Sequence, residues 1–479
     1  MNGPLQFSDS IYENIVFGNT LPSKISYLSQ PHAFDPVQVI ETAEFARLSF
    51  IRRHGLAWIV YPAATQTRLE YSIGNWGLAR LAELLIQVET SNTRTEPLSL
   101  WLKDAKLRAE FYLSVLCEDL GSAPLAGALE VNEPFRAGLV APHMPSAKNR
   151  TAALMAGYGL DTWHQIAKDR YGSANTLGST LKGSALLQES VCIPLACFLL
   201  TDSQEYLSAC SHTHKHHAGF VRDLIRGLLY LRKLDHYARD SYISTMRQFG
   251  SNLRGFLQNL ILTPNAHGDG IGVTSINDGA ADYAAGLLMK RRHRLSSKDH
   301  STEVIALHEM ANWALRAHCS SLGHDVLADL CKRIVFMEDD QILELLSGSH
   351  HKPCRIIAQR IRGADPYVLV GKWEKRDNIN KVIEMVNDRN GETKQDREIL
   401  PEVLVRYIEG NTAGETDNCF AIRNIRIGHE SALLADHPRY KNNVAYLETL
   451  ARQGCLYVFS KERQRTRLLR SEIDALLAH

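Results

Sequence analysis

The chain has 479 residues and a formal net charge of +1, with 44% hydrophobic and 22% charged residues. This is the composition of an ordinary globular protein, and at about 100–200 residues per domain the length predicts one to three domains. The balanced charge gives no argument for nucleic acid or membrane, so any anion-binding surface must be local.

The beginning of the chain lacks a basic segment followed by an apolar one, so no signal peptide is expected. The longest apolar run, Val191–Leu200, is interrupted by Pro194 and is shorter than the ~20 residues that span a bilayer. The nine cysteines include no CxxC pair, which favours reduced thiols. We therefore expect a cytoplasmic protein with no membrane partner.

Helical periodicity dominates the first three quarters of the chain. Two apolar stripes follow the i, i+3, i+4, i+7 spacing of an amphipathic helix: Val221, Leu224, Ile225 and Leu228, and Val304, Leu307, Ala311 and Leu315. Strand-like alternation is scarce before residue 365. The segment Pro264–Gly279, rich in Gly, Asn and Asp, is predicted to be a loop between two helices.

The composition changes near Ala364–Pro366. Two β-type segments follow, Tyr367–Val370 and Cys455–Phe459, and a basic helix ends the chain. The sequence thus predicts a mainly α fold, with a helical domain over residues 1–365 and a small α/β lobe over residues 366–479.

Three successive segments carry a family resemblance: Glu41–Leu48, Gly55–Ala64 and Thr67–Gly74. They resemble the opening of the deoxynucleoside triphosphate triphosphohydrolase branch of the HD superfamily. That opening is a helix ending in an arginine-leucine pair, then a "VYPGA" turn, then "HTRFEHSLG".

Three further blocks occur in the order of that family. Tyr112–Gly121 resembles "LLHDIGH", Lys233–Asp240 resembles "DKxDYxxRD", and Met337–Leu346 resembles the late "DxxLLxxL" helix. The resemblance covers roughly residues 30 to 370 and implies an HD-domain helical core.

The resemblance also implies where a catalytic metal would be held, and most of those positions are changed. Tyr71 stands in place of the first histidine, Glu118 in place of the histidine of the His-Asp pair, and Arg232 in place of the last aspartate. Asp119 remains. Arginine brings a fixed positive charge that can pair with Glu118 or Asp119, so we expect a degenerate site with no catalytic residues and no metal cofactor.

Four positions that the resemblance assigns to ligand binding can still contact an anion or a sugar. Arg68 and Lys233 match phosphate-contacting residues, Asp240 matches a carboxylate that meets the sugar hydroxyl, and His236 replaces a tyrosine that packs on the sugar. The alternative is that Arg68 and Asp240 are members of structural ion pairs inherited with the fold.

A histidine-rich segment offers a different metal site, under a rebuilt-enzyme alternative. Its members are His212, His214, His216 and His217, although a surface loop is the commoner meaning of such a run. The basic segments Lys290–Arg294 and Lys461–Arg470 could contact nucleic acid, but runs of this kind are more often solvated.

Three functions remain open from the sequence. The first is a catalytically degenerate protein that binds a nucleotide or another phosphorylated ligand, or acts as a scaffold subunit. The second is an active metal-dependent phosphohydrolase with a site rebuilt around Glu118 and Asp119. The third is a structural partner of another protein or a nucleic acid. A homo-oligomer or a protein partner is expected in each case.

Overall fold

The computed structural model describes most of the two ends of the chain and part of its middle. The described residues are 5–9, 13–17, 36–90, 94–103, 105–125, 253–265, 271–276, 281–286, 301–334, 336–373, 379–390, 400–408, 426–427, 432–433, 436–442, 445 and 455–478, with single residues and short groups between 151 and 239.

The predicted mainly α fold is confirmed. The named helices are α1 (Pro36–Ile40), α2 (Ala43–Leu48), α3 (Arg68–Leu85), α4 (Leu98–Trp101), α5 (Ala105–Cys117), α6 (Leu253–Gln258), α7 (Thr302–Ser320), α8 (His324–Ile334), α9 (Asp339–Ser347), α10 (Lys352–Arg362), α11 (Ile379–Arg389) and α12 (Thr466–Ala478). None of the helices in the described part of the chain combines the length and apolarity needed to cross a membrane.

Within the described residues, the strands form one larger sheet and two smaller ones. They are β1 (Leu5–Asp9), β2 (Glu13–Phe17), β3 (Gln87–Thr90), β4 (Arg94–Pro97), β5 (Leu260–Pro264), β6 (Ile271–Ile276), β7 (Val368–Trp373), β8 (Val403–Ile408), β9 (Arg426–Ile427), β10 (Ala432–Leu433) and β11 (Cys455–Ser460). The orders are β1-β2, β10-β9-β6-β5-β3-β4 and the antiparallel β7-β11-β8.

The central helix of the core is α7, whose apolar stripe was predicted from its period. Its N-cap Ser301 accepts a hydrogen bond from the Val304 amide at 3.2 Å. All four predicted stripe residues are buried, and α7 packs against α10. In the other predicted stripe, Val221, Leu224 and Ile225 are helical and buried, while residue 228 lies outside the described residues.

The prediction that Pro264–Gly279 is a loop between helices is wrong. Residues 271–276 form β6, which pairs antiparallel with β5, so Leu260 lies opposite Ile276. The glycines suggested a loop, but Val273, Thr274 and Ile276 are β-branched and favour a strand once a partner strand is available. Strands are therefore more common before residue 365 than alternation predicted.

The two β-type segments predicted near the C-terminus are confirmed as β7 and β11. These strands, with β8, pack against α11 and α12 through a second apolar cluster that includes Val382, Leu456 and Ile473. The short strands β9 and β10 instead extend the sheet that contains β3–β6. The division of the chain at residue 365 stays a prediction.

The buried guanidinium of Arg47, at the end of α2, donates hydrogen bonds to two other segments of the chain. Its Nε donates to the Phe336 carbonyl oxygen at 3.0 Å, and its Nη1 and Nη2 donate to those of Leu120 and Ser122 at 3.3 and 2.7 Å. These contacts join α2 to the loop after α5 and to the turn before α9. One side chain thereby makes two of the contacts that hold that loop.

The carboxylate of Asp339 makes a second connection at the start of α9. It accepts hydrogen bonds from the backbone amides of Arg52 at 2.8 Å and Leu125 at 2.7 Å. Leu125 has a φ of 56°, the left-handed conformation that non-glycine residues rarely adopt. Burial raises the pKa of Asp339 to about 6, against the opposing effect of these hydrogen bonds.

We expect Arg47→Met to lower the free energy of unfolding by about 3 kcal/mol or more, since it leaves three buried carbonyls without their charged donor. Urea denaturation measures the change. Arg333→Met, at an exposed site on α8, is the control and should change stability by less than about 0.5 kcal/mol. Equal stability of the two variants would contradict the role of Arg47.

Because the folded-state pKa of Asp339 is raised, its protonated form favours folding, and this stabilisation is lost as the pH rises through about 6. The free energy of unfolding of the wild type relative to Asp339→Asn should therefore fall by roughly 3 kcal/mol between pH 4 and pH 7. Asp340→Asn, at the exposed neighbouring position, should keep the wild-type pH dependence. A difference that stays constant with pH would count against the buried titration.

Candidate functional site

The candidate site lies at the N-terminal end of α3. Thr67 caps this helix through its hydroxyl, which accepts from the Glu70 amide at 3.3 Å, and Glu70 accepts in return from the Thr67 amide. Residues 51–53 run beside this turn, because the Arg68 amide donates to the Ile51 carbonyl oxygen at 2.8 Å and the Arg53 amide donates to that of Gln66 at 2.9 Å. Arg53 and His54 are thereby brought beside α3.

Arg68 and Asp119 form a buried ion pair, with 2.9 Å between Nη1 and Oδ1. Their side chains are 8% and 1% exposed, so the contact is removed from solvent. The Ser122 hydroxyl donates to the same Oδ1 at 3.3 Å. Arg68 is thus one cation for this carboxylate, and Arg232, which the sequence also offered for it, lies outside the described residues.

Tyr71 is fully buried, at the position that the resemblance gives to a histidine ligand. Its hydroxyl donates to Gln66 Oε1 at 3.2 Å and lies 3.4 Å from His54 Nε2. Its ring packs edge-on against His236, with 4.7 Å between centroids. The structure thus brings together two of the predicted positions, Tyr71 and His236.

Two arginines flank the Tyr71 ring, with guanidinium carbons 5.8 Å (Arg53) and 5.7 Å (Arg239) from its centroid. Arg53 Nη2 lies 3.4 Å from His236 Nδ1, and Arg239 Nε donates to Asp235 at 2.9 Å. Gly74 gives the Arg239 guanidinium its space, since a Cβ there would lie 1.6 Å from Nη2.

The described side chains do not fit a divalent metal. Asp119 Oδ1 is engaged by a guanidinium, Tyr71 offers a phenol, and Glu118 is a single further carboxylate, 4% exposed. Within the described residues, no group of three or more His, Cys, Asp and Glu side chains is arranged to hold an ion.

Several predicted residues lie outside the described residues. They are Arg232, Lys233, Asp240, His212, His214, His216 and His217, and their roles stay predictions. The basic segment 290–294 is likewise outside, whereas the basic residues of 461–470 lie on the surface at α12.

Sequence reasoning missed Arg53, His54 and Arg239. Arg239 lies inside the block Lys233–Asp240 that carries the resemblance, so the sequence already showed a basic residue in this region. Arg53 and His54 directly precede the segment Gly55–Ala64, but nothing in their local pattern indicates that they approach a tyrosine on α3.

Comparison with models of protein families finds no match for the chain. A protein of Acanthamoeba polyphaga mimivirus named for an HD domain is 33% identical over 96 residues, which is 19% of this chain and 20% of that protein. The deoxynucleoside triphosphate triphosphohydrolase SAMHD1 of Xenopus laevis is 33% identical over 90 residues, 19% of this chain and 13% of that protein. The chain thus matches a fifth or less of the length of these relatives.

A solved structure of a hypothetical protein from Aquifex aeolicus shares the fold. It superposes with a TM-score of 0.61 at 16% identity, over 98% of this chain and 100% of that one. The partial sequence matches link this chain to the HD-domain superfamily.

Proposed function

We propose that this protein binds a phosphorylated ligand, with a nucleotide as the first candidate, through a pocket that uses arginine and histidine in place of a metal. The observation that carries the proposal is the cluster around Tyr71. Its basic members are Arg53, His54, His236 and Arg239, and Arg68 lies about one turn earlier on α3, paired with Asp119.

The charges of this cluster support an anionic ligand. The charges of Arg68 and Arg239 are each offset by one aspartate, so the support comes mainly from Arg53, a fixed positive charge beside two histidines. The Nε of Arg68 is buried and has no hydrogen-bond partner in the described part of the chain. Phosphate oxygens can accept from several guanidinium groups at once, with charge-assisted hydrogen bonds.

Catalysis is not part of the proposal. Hydrolysis of a phosphoanhydride needs an activated water and neutralisation of charge on the phosphates, which a metal commonly supplies. The carboxylate of Asp119 is instead engaged with Arg68, and the Tyr71 hydroxyl is engaged with Gln66. The buried ion pair also favours one second candidate, a structural partner whose pocket is closed.

Arg68→Ala and Arg53→Ala should each weaken nucleotide binding about ten- to a hundred-fold, because hydrogen bonds to charged groups contribute ~1.5–3 kcal/mol. Calorimetric titration with nucleoside mono- and triphosphates measures the affinity. Lys233→Ala tests the corresponding prediction for a residue outside the described segments.

Arg333→Ala, on the exposed face of α8, is the control and should bind like the wild type. Absence of nucleotide binding in the wild type would favour the structural-partner candidate. Unchanged affinity in both pocket variants would place the ligand elsewhere.

We also expect no hydrolysis of the four deoxynucleoside triphosphates above the background rate with Mn²⁺ or Mg²⁺ present. The purified protein should contain no stoichiometric transition metal in this pocket. Turnover that persists through repurification and disappears in Asp119→Ala would instead support a rebuilt active site.

A further inference from the structure

The turn that follows Arg53 and His54 is held by a side chain from α7. Leu56 lies in the 3₁₀ turn Gly55–Ile59, and its backbone amide donates to His308 Nε2 at 3.1 Å. This turn begins where the basic residues of the pocket end. This hydrogen bond joins the edge of the pocket to α7, beside the apolar cluster in which Ala57 of the turn packs with Val304 of α7.

We infer that His308 is a pH-dependent latch on this turn. A histidine that accepts at Nε2 must be neutral, with its proton on Nδ1. When the ring is protonated, both nitrogens carry hydrogen, and the Nε2–H then faces the Leu56 N–H with no acceptor between them. Protonation of the imidazole therefore breaks the contact, and we expect the contact to be lost as the pH falls.

The anchored side of the latch is α7. The residue after His308, Glu309, accepts from Arg406 of β8 at 2.9 Å and from Asn312 at 3.3 Å. The helix is therefore fastened to the C-terminal sheet and packs against α10. The turn is the shorter element, and Gly55 within it has a φ of 53°. Loss of the hydrogen bond consequently releases the Leu56 amide in the turn and leaves the helix in place.

Two charged groups on the elements that pack around α7 have contacts of their own. Arg406 pairs with Glu309, and Asp339 accepts from the amides of Arg52 and Leu125. The 3₁₀ turn itself carries no ionisable side chain, and His54 precedes it. The remaining charged or titratable residues on α9, α10, β7 and β8 are Asp340, Glu344, Lys352, Cys354, Arg355, Arg360, Arg362, Lys372 and Tyr407.

The consequence for ligand binding rests on the proposed function. Arg53 and His54 directly precede the latched turn. The Arg53 amide is held by the Gln66 carbonyl oxygen at 2.9 Å, so release of the turn first changes the position of His54 beside Tyr71. The latch thus makes the shape of the pocket depend on pH, independently of the charges on its own histidines.

Hydrogen exchange of the full-length protein, followed by mass spectrometry of peptides covering residues 55–60, tests the latch. After correction for intrinsic exchange, protection of the Leu56 amide should fall about tenfold from pH 8 to pH 5 in the wild type. His308→Gln should keep similar protection at both pH values, because an amide oxygen accepts without titrating. His324→Gln, at an exposed histidine of α8, is the matched control and should behave as the wild type.

The inference would be overturned if protection of the Leu56 amide in the wild type did not change with pH. It would also be overturned if the same fall in protection occurred in His308→Gln. If His308→Gln does not fold, the wild type alone tests the latch. Protection of residues 55–60 should then fall with pH relative to protection of peptides from α3. Titration with inorganic phosphate is run in parallel. A pH-dependent turn without binding of phosphate or of the nucleoside phosphates would refute the proposed function and leave the latch standing.

Discussion

Three backbone carbonyls converge on one buried guanidinium, and the rest of the candidate site depends on that contact. Arg47 closes the space between α2, the loop after α5 and the turn before α9. A buried carbonyl without a donor costs about 1–3 kcal/mol, so the loop has little freedom to rearrange while Arg47 is present. Asp119 lies at the start of this loop and Asp339 holds its far end through Leu125.

A second constraint on the candidate site is its buried ion pair. A buried ion pair such as Arg68–Asp119 contributes little net stability, because removing both charges from water offsets their attraction. Removal of either partner alone is costly, since it leaves one buried charge uncompensated. This asymmetry favours keeping both residues together. A guanidinium also stays charged at every physiological pH.

The parts of the structure that follow a local period could be predicted, and the parts that depend on distant segments could not. The stripe of α7 is visible in its spacing, and α3 begins at a threonine with a glutamate three residues later. The contact of Tyr71 with His236 joins residues 165 positions apart, so its geometry is set by packing. β6 was missed for the same reason, because Gly272 and the glycines that flank the strand in sequence indicate a loop until β5 supplies a partner.

The order of the six-stranded sheet has a consequence for the growing chain. β3 pairs with β5 across about 170 residues, and β6 pairs in parallel with β9 from the last part of the chain. Contacts so distant in sequence require large loops to close, which slows folding. While the chain is synthesised, β6 has one uncovered edge until residues 426–427 emerge. Such an edge can pair with strands of other molecules, so chaperone protection at this stage is of most use to this protein.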